Sequence, residues 1–309
     1  MDTLLKEILE IPGQARECYK KNKKIKLPRG VPYLGMGASY HALLTLYYTG
    51  VDIKPFEASD YYNYFSLNKL PMAVFISQSG ESSDVILCLK KFNRVITITN
   101  NPKSSLAKLP KITKIVLLYA GDEKSAATKT YINTLITLYS GFEIDPYPAI
   151  ARMEKDFVTW QNSAKKEAKN LYKYIKNRKI SGYYVLGSGP NTATAKEAAL
   201  ALSETTKLGW QGMSFAQYDH GPKETANNSV VIFLVARGKE QKRADRLHDL
   251  LKKNSNALVL RIVEDALIEN LSPIALISQI YLIMNYLTDY LNITYTYGIG
   301  KKVTRIIYS

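Results

Sequence analysis

Short apolar runs alternate with longer, helix-compatible segments along this chain. The run 73–76, Ala-Val-Phe-Ile, is typical of a strand that is buried on both faces of a parallel sheet. It ends in a polar turn, Ser-Gln-Ser-Gly-Glu-Ser-Ser, and a helix-compatible pattern begins at Asp84. A strand, a glycine turn and a helix in this order predict a β-α unit of an α/β sheet.

This order of elements occurs twice in the chain. Gly35-Met36-Gly37 closes one apolar run, and Gly187-Ser188-Gly189 closes a matching run in the second half. The first half continues with a predicted helix at 40–48, strands at 73–77 and 95–98, and an apolar helix at 126–139. The second half continues with a predicted helix at 192–202, strands at 230–235 and 257–260, and an apolar helix at 273–291. The repetition predicts two domains of the same topology.

A helix-stopping linker, Asp-Pro-Tyr-Pro at 145–148, lies between the two halves, and a long polar helix is predicted at 153–177. We therefore expect one domain over residues 1–150 and a second over residues 151–309. Each is predicted to be a doubly wound, flavodoxin-like parallel sheet with helices on both faces, and the two are expected to pack on each other.

The polar turn after Ile76 is a candidate anion site. Ligands of doubly wound sheets bind beyond the carboxyl ends of the strands at the topological switch point, where the turns after Leu34 and Ile76 are expected to meet. Backbone N–H groups at a helix start, with Ser and Gln side chains, suit a phosphate monoester. An ordinary capped turn is the structural alternative, since Ser is common at helix N-caps.

Neither glycine turn completes the dinucleotide motif G-x-G-x-x-G. Tyr40 and Thr192 stand where the third glycine would be, and no acidic residue closes the second predicted strand of either half, in the position that would hold a ribose. A nicotinamide or flavin enzyme is therefore not expected, and we predict no cofactor. The two cysteines, Cys18 and Cys88, lack metal-ligand spacing, so no metal site is predicted either.

Composition narrows the class of protein without changing this picture. The 309 residues are 46% hydrophobic, and no apolar stretch is long enough to span a bilayer. The N-terminal segment is amphipathic and does not resemble a secretion signal. With so few cysteines, a cytoplasmic location and no membrane partner are expected.

The charge is strongly positive: 42 Lys and Arg residues against 27 Asp and Glu residues give +15. Nucleic-acid binding is one interpretation. However, the basic residues are scattered, and no recognition helix or basic strand interleaved with aromatic residues is present. We therefore predict no nucleic-acid partner. Attraction of small phosphorylated anions, or a solvated lysine-rich surface, accounts for the charge.

A set of motifs, in a shared order, resembles the sugar isomerase (SIS) family. More narrowly, it resembles the isomerase portion of glucosamine-6-phosphate synthase and the related stand-alone deaminases. The most specific block is Ile-Ser-Gln-Ser-Gly-Glu-Ser-Ser-Asp-Val at 76–85. The less specific ones are Lys-Glu-Ile-Leu-Glu-Ile-Pro at 6–12, Asn-Pro-Lys-Ser-Ser-Leu at 101–106, Ala-Thr-Lys at 127–129, Ala-Leu-Ala-Leu-Ser-Glu at 199–204, Gln-Tyr-Asp-His-Gly-Pro at 217–222 and Lys-Lys-Val-Thr at 301–304.

This resemblance implies roles for individual residues. The sugar phosphate would be held by Ser39, Ser77, Gln78, Ser79 and Ser82, with Gly37, Ala127 and Thr128 as candidate substrate contacts. Glu204 would match the base that moves a proton between C1 and C2. His220 would match the residue that opens the sugar ring, reaching in from the partner subunit of a homodimer. Lys301 would match the lysine that engages the open-chain carbonyl.

These residue types also suit aldose–ketose chemistry independently of the resemblance. A carboxylate can remove and return a proton, an imidazole can move one near neutral pH, and an amine can stabilise a carbonyl oxygen or form an imine. Each has a structural alternative: Glu204 as a polar helix residue, His220 as a turn residue and Lys301 as a solvated lysine in a basic tail.

The chain also departs from the family pattern at several sugar-side positions. Ala127 replaces a serine, Ala201 replaces a lysine, and Gln217 replaces a glutamate. Asp2 follows Met1, so a glutaminase's nucleophilic cysteine is missing there, and we expect no glutamine-dependent synthesis. The favoured expectation is glucosamine-6-phosphate deamination or isomerisation between aldose and ketose 6-phosphates. The alternatives are an isomerase of another phosphosugar and a sugar-phosphate sensor that has lost catalysis.

Overall fold

A computed structural model describes residues 3–65, 68–294 and 299 of the chain. Within them, two sheets contain parallel strand pairings throughout. The strands are β1 (Pro32–Gly35), β2 (Lys54–Glu57), β3 (Leu70–Ile76), β4 (Phe92–Thr99), β5 (Ile112–Leu117), β6 (Tyr183–Gly187), β7 (Trp210–Ser214), β8 (Val230–Ala236) and β9 (Leu258–Glu264). The predicted α/β class is confirmed.

Helices connect and flank these strands. They are α1 (Thr3–Leu9), α2 (Ile11–Asn22), α3 (Ala38–Tyr48), α4 (Ala58–Tyr64), α5 (Ser83–Leu87), α6 (Lys129–Gly141), α7 (Tyr147–Ile175), α8 (Pro190–Thr206), α9 (Phe215–Asp219), α10 (Gln241–Asn254) and α11 (Ser272–Tyr290). Short 3₁₀ segments follow α5, β4 and α9 at Cys88–Lys91, Leu106–Lys108 and Pro222–Thr225. None of these described helices is both long and apolar enough to cross a membrane.

The two sheets repeat one strand order. The first runs β2-β1-β3-β4-β5, which is the flavodoxin-like doubly wound order, and the second runs β7-β6-β8-β9 with the same sequence of crossovers. Even the turn torsions agree: Gly37 has φ 51° and ψ −125°, and Gly189 has φ 51° and ψ −128°. Because an L-residue with a side chain rarely adopts such a positive φ, glycine is needed at both places.

The chain divides into two compact units. The unit around the first sheet contains Gly13–Glu123 and Lys129–Asp145, with a core that includes Leu34, Phe75 and Phe92. The unit around the second sheet contains the described residues up to Pro12, the segment Lys124–Thr128 and the described residues 146–294. Its core includes Leu186, Phe215 and Phe233.

Some elements differ from their predicted extents. Helix α7 begins at Tyr147, six residues before the predicted start, and Pro148 lies in its first turn. A proline is tolerated there because backbone N–H groups of the first turn have no partner within the helix. The last helix of the first unit, α6, begins at Lys129, so residues 126–128 belong to a loop. The helix after the polar turn, α5, has only five residues before the 3₁₀ segment.

Candidate functional site

The candidate site lies at the carboxyl edge of the first sheet. Strands β1 and β3 are hydrogen-bonded neighbours with Tyr33 opposite Val74 and Leu34 opposite Phe75. From β1 the chain crosses over to β2, while from β3 it crosses over to β4 on the other side. The turns that follow β1 and β3 therefore leave the sheet side by side at its switch point.

The turn after β3 is held from within by serine oxygens. The Ser77 N–H donates to the Ile98 carbonyl at 3.1 Å, and the Gly80 N–H donates to the Ser77 carbonyl at 3.1 Å and to Ser77 Oγ at 3.2 Å. The Glu81 N–H donates to Ser79 Oγ at 3.2 Å. Ser77 is buried, whereas Ser79 is exposed at the top of the turn. The turn is thus a compact loop whose upper edge faces solvent.

Gly80 allows a second loop to support this turn. Its φ is +68°, and a Cβ atom added there would lie 2.0 Å from Ser104 Oγ. The Leu106 N–H donates to the Gly80 carbonyl at 3.0 Å, and the Ser105 N–H donates to Glu81 Oε1 at 2.8 Å. Residues 101–106 form one of the motifs that carried no assigned role in the sequence. In the structure this segment packs against the turn and supports it through these hydrogen bonds.

Donors in this turn are left for a ligand. The Ser79 N–H makes no hydrogen bond within the described part of the chain. Ser82 Oγ is buried and also has no partner there. Ser82 precedes the first residue of α5 but does not cap it with its side chain. Since buried polar groups are normally paired, a buried hydroxyl and an amide of one turn that both lack a partner among the described residues favour an anion at this place.

The turn after β1 forms the other wall. Gly37 precedes α3, whose first turn carries no acidic residue and no side-chain cap, and Ser39 is half-buried in that turn. A Cβ atom on Gly35 would lie 3.0 Å from Ser39 atoms, so the glycine permits the close approach of the helix. Because α3 has eleven residues, its N-terminal dipole also favours an anion. The five-residue α5 contributes less of this effect than the sequence suggested.

Ala127 and Thr128 lie in the segment before α6. Thr128 is fully buried, and Ala127 is half-buried. The segment is fixed by a buried carboxylate of α1, since the N–H groups of Lys124 and Ser125 donate to Glu7 at 2.7 and 3.2 Å. These predicted contacts belong to the unit of the second sheet, as Glu204 and His220 do.

Glu204 is half-buried in the last turns of α8. A second carboxylate of that helix was missed in the sequence: Glu197 lies two turns earlier and is buried, and it accepts a hydrogen bond from the Tyr281 hydroxyl at 3.4 Å. Its spacing of seven residues from Glu204 places both on one side of the helix, which is the signal that could have found it.

His220 follows α9 and is exposed beside an open polar cavity of about 390 Å³. Asp219, Gly221, Lys223 and Glu224 line the rest of this cavity. Lys223 Nζ lies 2.8 Å from Asp219 Oδ1, and this hydrogen bond lowers the pKa of the Asp219 carboxyl group. Lys301 lies outside the described residues.

No group of three or more His, Cys, Asp or Glu side chains in the described ranges is arranged to hold a metal ion. Cys18 and Cys88 are buried and free, and burial raises the pKa of each thiol to about 12. Since the thiolate is the reactive form, neither is a candidate nucleophile.

Comparisons with known proteins agree with this architecture. No protein-family model matches the chain. A glutamine–fructose-6-phosphate aminotransferase (isomerizing) from Sulfolobus acidocaldarius is 29% identical over 274 residues, which are 81% of this chain and 44% of that protein. The chain spans about half the length of the curated relatives it matches.

Two solved structures show the same fold. The C-terminal domain of the glucosamine–fructose-6-phosphate aminotransferase from Francisella tularensis is 18% identical with a TM-score of 0.74, over 94% of this chain and 96% of that one. A glucosamine-6-phosphate deaminase from Thermotoga maritima is also 18% identical, with a TM-score of 0.73 over 93% of this chain and 95% of that one.

Proposed function

Because the chain has the double sugar isomerase (SIS) fold and is homologous to the isomerase domain of glutamine–fructose-6-phosphate aminotransferases, we propose that it is an enzyme acting on a hexose 6-phosphate. Its proposed reaction is the hydrolytic deamination of glucosamine 6-phosphate to fructose 6-phosphate and ammonia. The aldose–ketose isomerisation of a 6-phospho sugar is the parent reaction of the same site.

The polar turn after β3 is the observation on which the proposal depends. It combines the Ser79 N–H and the Ser82 hydroxyl, neither of which has a partner in the described ranges, with the N-terminus of α3 across the switch point. Main-chain amides and hydroxyls bind a phosphate without a fixed lysine, which suits a monoester that must leave after turnover. Gln78, Ser77 and Ser39 complete the proposed phosphate site.

The proposed chemistry is a tautomerisation followed by hydrolysis of an imine. After His220 assists ring opening, Glu204 takes the proton from C2 of the open-chain amino sugar and returns it to C1, while a proton of the C2 amine passes to the C1 oxygen. This leaves an imine at C2 and a hydroxyl at C1; water adds to the imine carbon, and ammonia departs to give the ketose. Lys301 would stabilise negative charge on the open-chain oxygen.

The assay that tests this function is direct. The protein is incubated with glucosamine 6-phosphate, and ammonia and fructose 6-phosphate are measured together. Equal amounts of both products support deamination. Interconversion of glucose 6-phosphate and fructose 6-phosphate without ammonia would indicate isomerisation alone. Tight binding with neither reaction would contradict the enzyme and favour a sugar-phosphate sensor.

Two further expectations belong to this proposal. The protein would be a homodimer with its active site shared between subunits, because in the resembled family the residue matched by His220 acts across the dimer. It would work in the cytoplasm, where sugar phosphates are available and cysteines stay reduced.

A further inference from the structure

The hydroxyl of Thr99 is tied to the backbone of the proposed phosphate turn. Thr99 ends β4 and is fully buried. Its Oγ1 donates to the Gln78 carbonyl at 3.1 Å and accepts a hydrogen bond from the Asn101 N–H at 3.2 Å. The Asn100 N–H donates to the same Gln78 carbonyl at 2.9 Å. The end of β4 therefore fixes the direction of one particular peptide group.

That direction decides where the next amide points. In a trans peptide the C=O and the following N–H are coplanar and point in opposite directions. With the Gln78 carbonyl held toward β4, the Ser79 N–H is turned away from β4. Strand β1 lies on the other side of β3, so this N–H is turned toward the crevice at the switch point. This N–H makes no hydrogen bond within the described residues.

We propose that Thr99 is a positioning residue, whose hydroxyl aims the Ser79 amide at the phosphate of the substrate. The role rests on the proposed function, since it supposes that an anion is bound at this turn. Thr99 itself would touch no ligand: it acts through the 78–79 peptide group. A hydrogen bond from an amide to an anion is strong but directional, so a peptide group held by the Asn100 N–H alone would lose part of it.

The chain offers a conservative variant and a matched control. Thr99→Val removes the hydroxyl at nearly constant volume, and Thr99→Ser keeps it. Thr97 lies two residues earlier on the same strand, is equally buried, and its Oγ1 has no partner among the described residues. Thr97→Val therefore makes the same chemical change without touching the phosphate turn.

The experiment measures dissociation constants for inorganic phosphate and for fructose 6-phosphate by calorimetry. We expect both to rise about tenfold in Thr99→Val, the size of effect that one misaligned amide–anion hydrogen bond can produce. Thr99→Ser is expected to restore wild-type affinity, and Thr97→Val to leave it unchanged. Thermal unfolding of all four proteins in phosphate-free buffer separates this effect from lost stability.

A second measurement uses the unaltered protein. Titration with phosphate should move the backbone amide resonance of Ser79 in ¹H–¹⁵N spectra, and the same shift should occur in Thr99→Ser. This spectrum tests the proposal even if Thr99→Val fails to fold. If the Ser79 amide resonance does not shift at saturating phosphate, the proposal is overturned.

The outcomes separate a failure of the role of Thr99 from a failure of the proposed function. Equal affinity of Thr99→Val and the wild type, with both binding phosphate, removes the role of Thr99 and leaves the proposed function intact. A wild-type protein that binds neither phosphate nor fructose 6-phosphate removes the proposed function and this role together.

Discussion

Gly80 shows at the level of one residue how the proposed phosphate turn is built. It needs a positive φ and also needs to have no side chain, because Ser104 occupies the space where a Cβ would be. Gly50 has a φ of +88° but nothing within 4 Å of its added Cβ. The two glycines therefore separate backbone strain from steric conflict.

Gly80→Ala is expected to weaken phosphate binding by more than tenfold and to lower the free energy of unfolding by about 2–3 kcal/mol, because strain and overlap add. Gly50→Ala carries the strain alone, with an expected loss of about 1 kcal/mol and unchanged binding. Calorimetric titration and urea unfolding provide both numbers. Equal losses in the two variants would show that Ser104 does not confine the turn.

Glu204 is the residue on which the proposed proton transfer depends. Glu204→Gln keeps the size of the side chain but removes its basicity, so turnover of glucosamine 6-phosphate should fall by roughly a hundredfold or more. Binding of fructose 6-phosphate should remain, since the proposed phosphate site lies elsewhere in the chain. Glu17→Gln is the control, because the Glu17 carboxylate forms an exposed pair with Lys21 at 3.7 Å. Undiminished turnover would exclude Glu204 as the base.

At the level of elements, a buried asparagine connects a helix to the last strand of the first sheet. Asn22, at the end of α2, is 3% exposed. Its Nδ2 donates to the Leu117 carbonyl at 2.8 Å on β5 and to Thr137 Oγ1 at 2.9 Å on α6. One side chain thus connects α2, β5 and α6.

Asn22→Ala should lower the free energy of unfolding by about 2–3 kcal/mol, because it leaves a carbonyl and a hydroxyl without their donor. The side chain of Asn93 on β4 is exposed and makes no hydrogen bond within the described residues, so Asn93→Ala should change stability by less than about 0.5 kcal/mol. Urea unfolding measures both. A loss in Asn22→Ala no larger than in Asn93→Ala would contradict this bridging role.

Several elements could not be predicted from their own residues. Strand β2 reads Lys-Pro-Phe-Glu and has no apolar run, because it lies at the edge of the sheet with one neighbour. The same position explains why β7, at the edge of the second sheet, was not predicted. Central strands such as β8 are buried throughout and form continuous apolar runs. The predicted strand at 230–235 therefore differs from β8 by one residue.

For the whole molecule, the expectation to test is the oligomeric state. If the proposed active site is shared between subunits, sedimentation equilibrium should give twice the mass of the 34.8 kDa chain, and dilution below the dimer's dissociation constant should reduce turnover. Full activity in a strictly monomeric protein would exclude a shared site. The net charge of +15 attracts anions, and dissolved salt screens this attraction. The affinity for a sugar phosphate should therefore fall as the salt concentration rises.

The sequence by itself determined the repeated β-α order, the doubly wound class and the candidate phosphate turn, because apolar periodicity and glycine turns are local properties. It could not show that the end of β4 aims the Ser79 amide, or that Ser104 fills the space beside Gly80. Those facts depend on contacts between segments about twenty residues apart in the chain, and only the pairing of β3 with β4 brings such segments together.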